Sequence, residues 1–131
     1  MNEGDVMNAK MNPVNWFEIP TKDINRAKSF YEKVFGVKLD LQNMDNLKMA
    51  WFPMEDDAPG STGSLVQADA YKPSYEGTLV YFSVEDIDGT LTKVEKNGGK
   101  ILNKKMSIGE YGFVGHFEDT EGNRVALHSM I

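Results

Sequence analysis

The sequence predicts an α+β domain assembled from two tandem βαβββ modules, and three observations predict it. Two segments, Trp16 to Leu39 and Leu79 to Leu102, align without gaps at a constant offset, so that Asp23 answers Asp86, Ile24 answers Ile87 and Gly36 answers Gly99. Each segment opens with an aromatic or β-branched run that leads through an Asp into an amphipathic stretch. Each amphipathic stretch stops at glycine and is followed by short apolar runs set apart by turn-forming sequence.

The runs Trp16 to Ile19 and Leu79 to Val84 read as the opening strands. Asp23 and Asp86 follow them as N-caps, because a carboxylate there accepts from the free amides of a first helical turn and suits the positive end of the helix dipole. The spacing of Ile24, Ala27, Phe30, Tyr31 and Val34, and of Ile87, Leu91 and Val94, predicts helices over 24–35 and 87–97 with one buried face each. Gly36 and the pair Gly98-Gly99 supply left-handed C-caps. Further strands are predicted at Leu47 to Phe52 and Ser64 to Gln67, then at Lys100 to Leu102, Gly112 to Phe117 and Arg124 to His128. Asp56 to Gly60 and Asp119 to Asn123 are dense in turn formers, and Ala70 to Gly77 reads as the link between modules. A helix on one face of each sheet leaves the opposite faces free to curve into a cup.

A chain of 131 residues fits one domain, about residues 13–131, with modules at about 13–69 and 77–131 and a flexible tail over 1–12. Fourteen basic and twenty acidic residues give a net charge of −6 without any basic cluster, which argues against nucleic acid. The absence of cysteine rules out disulfides, thiolate metal sites and a cysteine nucleophile. No secretory pattern and no run of about 18 apolar residues is present, so the expectation is a cytoplasmic chain without a membrane span.

The aromatic strand running into Asp23, Arg26-Ala27, the FYEKVFG stretch at 30–36, GTLVYFSVEDID at 77–88, Asn97-Gly98-Gly99 and DTEGNRVAL at 119–127 resemble the vicinal oxygen chelate superfamily. Its members include glyoxalase-like, bleomycin-resistance-like and ring-cleaving dioxygenase proteins, and the chain is most similar to the uncharacterised branch related to lactoylglutathione lyase. The resemblance implies the eight-stranded cup of the glyoxalase/bleomycin resistance/dihydroxybiphenyl dioxygenase fold, a small organic ligand and a homodimer. It does not imply one activity, since this scaffold carries many chemistries.

Metal-dependent relatives hold a divalent ion with His or Gln seven residues before the helix-opening Asp, which here falls on Trp16 and Leu79. The Glu of their last strand falls on Ala126, and only Gln67 offers an oxygen for the fourth place. Because a catalytic divalent ion needs about three protein ligands, no metal site and no cofactor are predicted. A displaced site would have to recruit His116 and His128 with Glu18 or Glu118.

Alternation along a strand extends the cup lining from those positions. Trp16 brings Glu18 and Pro20, Leu79 brings Tyr81 and Ser83, and Ala126 brings Arg124 and His128; Tyr111 lies at the tip of a glycine-flanked loop, Ser107 to Gly112, with the makings of a lid. The predicted ligand-binding set is therefore Trp16, Glu18, Leu79, Tyr81, Tyr111, Arg124 and His128. Glu18 reads either as a general base, its pKa raised on an apolar surface, or as a brace paired with Arg124 or Tyr81. Three functions compete: a metal-independent small-molecule binder, a lyase or isomerase for a small carbonyl compound, and a partner-binding subunit.

Overall fold

The computed structural model describes residues 10–131, so most of the predicted tail lies outside the described residues, and 10–16 carry no helix or strand. The first module runs β1 (Phe17–Pro20), α1 (Ile24–Phe35), β2 (Asp40–Met44), β3 (Leu47–Trp51) and β4 (Gly63–Gln67). The second runs β5 (Tyr81–Ser83), α2 (Ile87–Lys96), β6 (Lys100–Ser107), β7 (Phe113–Glu118) and β8 (Arg124–Ser129). Each module makes its own mixed sheet, ordered β1-β4-β3-β2 and β5-β8-β7-β6. In both, the first and last strands pair in parallel and the remaining pairs are antiparallel.

The two helices start by the same device. Asp23 and Asp86 sit in extended backbone, and their Oδ1 atoms accept from the amides of Arg26 at 3.1 Å and Gly89 at 3.0 Å. Gly36 ends α1 with φ of 66°, a left-handed conformation that glycine adopts without Cβ strain. Helix α2 ends one residue before its predicted limit, with Asn97 as cap and Gly98 at φ of 97°.

The apolar stripes bury as predicted: Ile24, Ala27, Phe30, Tyr31 and Val34 pack with Ile19, Ala50 and Leu65, while Ile87, Leu91 and Val94 join Phe117, Val125 and Leu127. Aromatic rings join the modules, with Phe82 edge-on to Phe17 at 5.6 Å and stacked on Phe35 at 4.6 Å. Because Phe17 and Phe82 lie on β1 and β5, the edge strands of the two sheets, the sheets meet there.

A polar joint reinforces the aromatic one. Glu121, in the β7–β8 turn and 2% exposed, accepts from the amides of Lys22 and Asp23, both at 2.8 Å, and from Arg26 Nε and Nη2 at 2.8 and 3.0 Å. Burial works to raise its pKa, but the hydrogen bonds from Arg26, the Asp23 amide, Thr120 and the Lys22 amide outweigh it and hold the carboxyl below its ordinary range. Beside it, Tyr31 of α1 donates to Asp119 Oδ2 at 2.7 Å, a fully buried contact. There burial wins, and the Asp119 carboxyl is pushed up despite donors from Asn123, Tyr31 and Glu121.

Three elements depart from the sequence reading. Strand β2 is additional, an exposed edge whose Leu41 and Met44 remain 44% and 43% exposed. Strand β6 continues to Ser107 instead of stopping at Leu102, with two register shifts against β7. Strand β5 is shorter, so Leu79 lies before it, half-buried.

Candidate functional site

Ladder partners fix which side chains share a face. Glu18 opposes Ser64, which opposes Trp51, and Trp16 meets Trp51 edge-on at 6.4 Å, so these residues occupy the first sheet's helix-free face. On the second sheet Tyr81 opposes Ala126, Ser83 and Val114 oppose His128, His116 opposes Ala126, and Glu118 opposes Arg124. Glu18 and Trp51 thus share one face of the first sheet, and Tyr81, Ala126 and His128 share one face of the second.

A concavity of about 610 Å³ opens on the second sheet, lined by Tyr81, Ser83, Met106, Ile108, Val114, His116 and His128. Of the predicted set, Tyr81 and His128 line it directly, and Arg124 stands behind His116. A separate concavity of about 360 Å³, with Lys22, Lys48, Gln67, Tyr71 and Lys72 in its wall, lies at the end of the first sheet and contains none of the predicted site residues.

The polar floor is a directed chain of hydrogen bonds. Arg124 donates through Nη2 to Asn103 Oδ1 at 2.7 Å and through Nε to His116 Nδ1 at 3.0 Å. A guanidinium can only donate, so Nδ1 must be unprotonated and the neutral ring carries its hydrogen on Nε2. Nε2 lies 3.5 Å from the Tyr81 hydroxyl, with the two rings edge-on at 5.9 Å. Burial, and then the Arg124 charge, lower the His116 pKa, which keeps the ring neutral near neutral pH. Tyr81 thus receives the imidazole hydrogen and retains its own O–H for a partner in the concavity.

His128 is placed by its other neighbour. Its Nε2 lies 2.6 Å from the Tyr111 carbonyl, which can only accept, so His128 donates there. That contact pins the predicted lid: the loop forms a 3-10 turn (Gly109–Tyr111), and Ile108 N donates to Gly112 O at 2.9 Å. The Tyr111 ring itself is 68% exposed and outside the concavity wall, while Ile108 of the same loop is part of that wall.

Glu18 differs most from its reading. It is exposed, and its partners are the Tyr71 hydroxyl at 2.8 Å and Trp16 Nε1 at 3.4 Å, neither Arg124 nor Tyr81. Trp16 and Glu18 line neither concavity. Tyr71 comes from the segment linking the modules, and the same segment sends Tyr75 to donate to Glu118 and Ser74 to contact Asn123 and Arg124 through its backbone. The hydrogen bond to Glu18 raises the Tyr71 pKa, as the one to Glu118 does for Tyr75. The linker is thus a tyrosine lace between the two sheets.

A family model described as the Glyoxalase/Bleomycin resistance protein/Dioxygenase superfamily matches residues 13–127. The chain belongs to that superfamily. A glyoxylase-like domain-containing protein of Didymella fabae is 32% identical over 118 residues, covering 87% of this chain and 91% of its own length. CFP32 of Mycobacterium tuberculosis is 27% identical, covering 86% of this chain and 44% of itself. A solved glyoxalase I mutant from Zea mays superposes with a TM-score of 0.68 at 21% identity, covering 90% of this chain and 46% of that one, a likeness of fold alone. The chain therefore spans less than half of CFP32 and of the maize enzyme.

The superfamily's divalent ion does not fit these residues. Trp16, Leu79 and Ala126 have no metal donor atom, and Gln67 Oε1 accepts from the Ile24 amide at 2.8 Å, at the start of α1. The displaced alternative fares no better, because His116 offers Arg124 its lone pair and only Nδ1 of His128 is left with one. Among the described residues, no group of three His, Asp or Glu side chains stands close enough to hold an ion.

Ser83 lines the wall as alternation from Tyr81 predicts, and four wall residues lay outside the predicted lining: Met106, Ile108, Val114 and His116. Val114 and His116 alternate on β7, but only the pairing of that strand with β8, Val114 against His128 and His116 against Ala126, turns them toward the concavity. For Met106 and Ile108 there was no signal, since the β6 register shifts override alternation.

Proposed function

We propose that the chain is a binding protein that takes up a small organic molecule in the concavity of its second sheet without a divalent ion. One observation carries the reading: a histidine in the wall of the concavity, His116, has both ring nitrogens committed to protein partners, Arg124 and Tyr81. Around it Met106, Ile108 and Val114 give an apolar wall, and Tyr81 and Ser83 give hydroxyls, the mixture usual for small-molecule sites. The lyase or isomerase reading with Glu18 as base needs Glu18 beside the ligand, and Glu18 belongs to the other sheet.

The test is native-host purification followed by elemental analysis and mass spectrometry of the denatured extract. The expected result is a bound organic molecule without a stoichiometric metal. A stoichiometric zinc, nickel, iron or manganese ion that is lost on His116→Ala would overturn the proposal. We further propose a homodimer, supported by the family resemblance and by the exposed apolar side chains of edge strand β2. Sedimentation at micromolar concentration that finds only a 14.7 kDa species would refute it.

A further inference from the structure

We infer that the ligand of the second-sheet concavity presents an acceptor oxygen, carbonyl or carboxylate, to the Tyr81 hydroxyl, which His116 and Arg124 orient as a donor. The inference rests on the binding reading above and names the chemical class of its ligand.

Direction in the polar chain carries the argument. Arg124 has only hydrogens to give, so each link hands one onward: Arg124 Nε to His116 Nδ1, then His116 Nε2 to the Tyr81 oxygen. Among the described residues, His116 is the sole side-chain or backbone partner of the Tyr81 hydroxyl. Once that oxygen has accepted from His116, its own hydrogen has no acceptor among the described residues. Tyr81 is 49% exposed and lines the concavity, so the unspent hydrogen belongs to water or to a ligand there. The side chains of Met106, Ile108 and Val114 offer no strong hydrogen-bonding group, so the part of the ligand that lies against them is apolar. Asn103 completes the device by accepting a second hydrogen bond from Arg124, which favours the guanidinium orientation that reaches His116. His116 acts through Tyr81 and is a positioning residue.

The experiment uses three probes of one shape: methyl naphthyl ketone, naphthoate and ethylnaphthalene, titrated into the full-length protein and followed by NMR of the His116 and His128 rings. The oxygen-bearing probes are expected to bind about tenfold more tightly than the hydrocarbon, the value of one net hydrogen bond. Whichever of ketone and carboxylate binds better identifies the charge on the oxygen. Tyr81→Phe removes the hydrogen without removing the ring and, at so exposed a position, leaves the fold intact; it is expected to erase the tenfold preference. Ring nitrogen shifts provide a readout for His116 beyond structure: they should report an unprotonated Nδ1 and a protonated Nε2 that moves when ketone is added.

Equal binding of ketone, carboxylate and hydrocarbon would overturn the inference and leave the concavity a binding site. A preference that survives Tyr81→Phe, or a proton on Nδ1, would also overturn it. If no probe perturbs either histidine, the binding reading itself fails.

Discussion

Replacing Glu121 by Ala should remove the polar joint between the modules. The carboxylate serves four sets of donors: the Lys22 amide, the Asp23 amide, Arg26 and the Thr120 hydroxyl. The Arg26 side chain is 49% exposed, so water can take over its ion pair, which then counts for roughly 0–1 kcal/mol. The two backbone amides enter α1 in partly buried surroundings, and losing their acceptor costs about 1 kcal/mol each, the low end for a buried donor. The sum is about 2–3 kcal/mol, which for a domain of this length lowers Tm by roughly 10 °C. Glu121→Gln keeps the shape and one acceptor oxygen but turns an amide nitrogen toward donors, so about half that loss is expected.

The pH dependence follows from the sign of the shift. Because the folded pKa of Glu121 is depressed, its contribution is fully present above the unfolded value, about 4.3, and is lost as pH falls through the lower folded value. The gap between wild type and Glu121→Gln should therefore narrow on acidification below about pH 4. Urea unfolding followed by far-ultraviolet circular dichroism at neutral and acid pH measures both effects. Glu121→Ala within about 0.5 kcal/mol of wild type at pH 7 would refute the reasoning, since that is the range of an uninvolved surface change.

Gly63→Ala should cost about 3 kcal/mol, because a Cβ there would sit 2.2 Å from the Phe17 carbonyl oxygen and force β1 from β4. Gly60→Ala, with open space but φ of 91°, should cost about 1 kcal/mol, and the opposite order in urea unfolding would contradict the packing account. NMR titration should find His116 below the ordinary histidine value of about 6.5, shifting upward in Arg124→Gln; a midpoint at or above 6.5 in the wild type would remove the neutral-ring argument. With its folded pKa depressed, His116 adds stability that is complete above about pH 6.5 and lost as pH falls through the folded value.

Sequence by itself determined what depends on neighbours along the chain. The two helices, their Asp caps and glycine stops, the module repeat and the alternating faces of β1, β5 and β8 are all written at separations of two to four residues, where backbone geometry dictates the period. Tertiary structure alone decided what those faces meet. Strand β2 buries too little apolar surface to announce itself and exists because β3 offers it a partner. The register shifts in β6 set Asn103 against Arg124 and Met106 in the concavity wall, three residues apart, which uninterrupted alternation would put on opposite faces. Glu18 appeared to belong with Arg124 because both were assigned to the cup, yet its acceptor oxygen is taken by Tyr71, 53 residues away in a segment with no period of its own. Side-chain hydrogen bonds between distant segments depend on where the backbone brings donor and acceptor, and no local pattern encodes that distance.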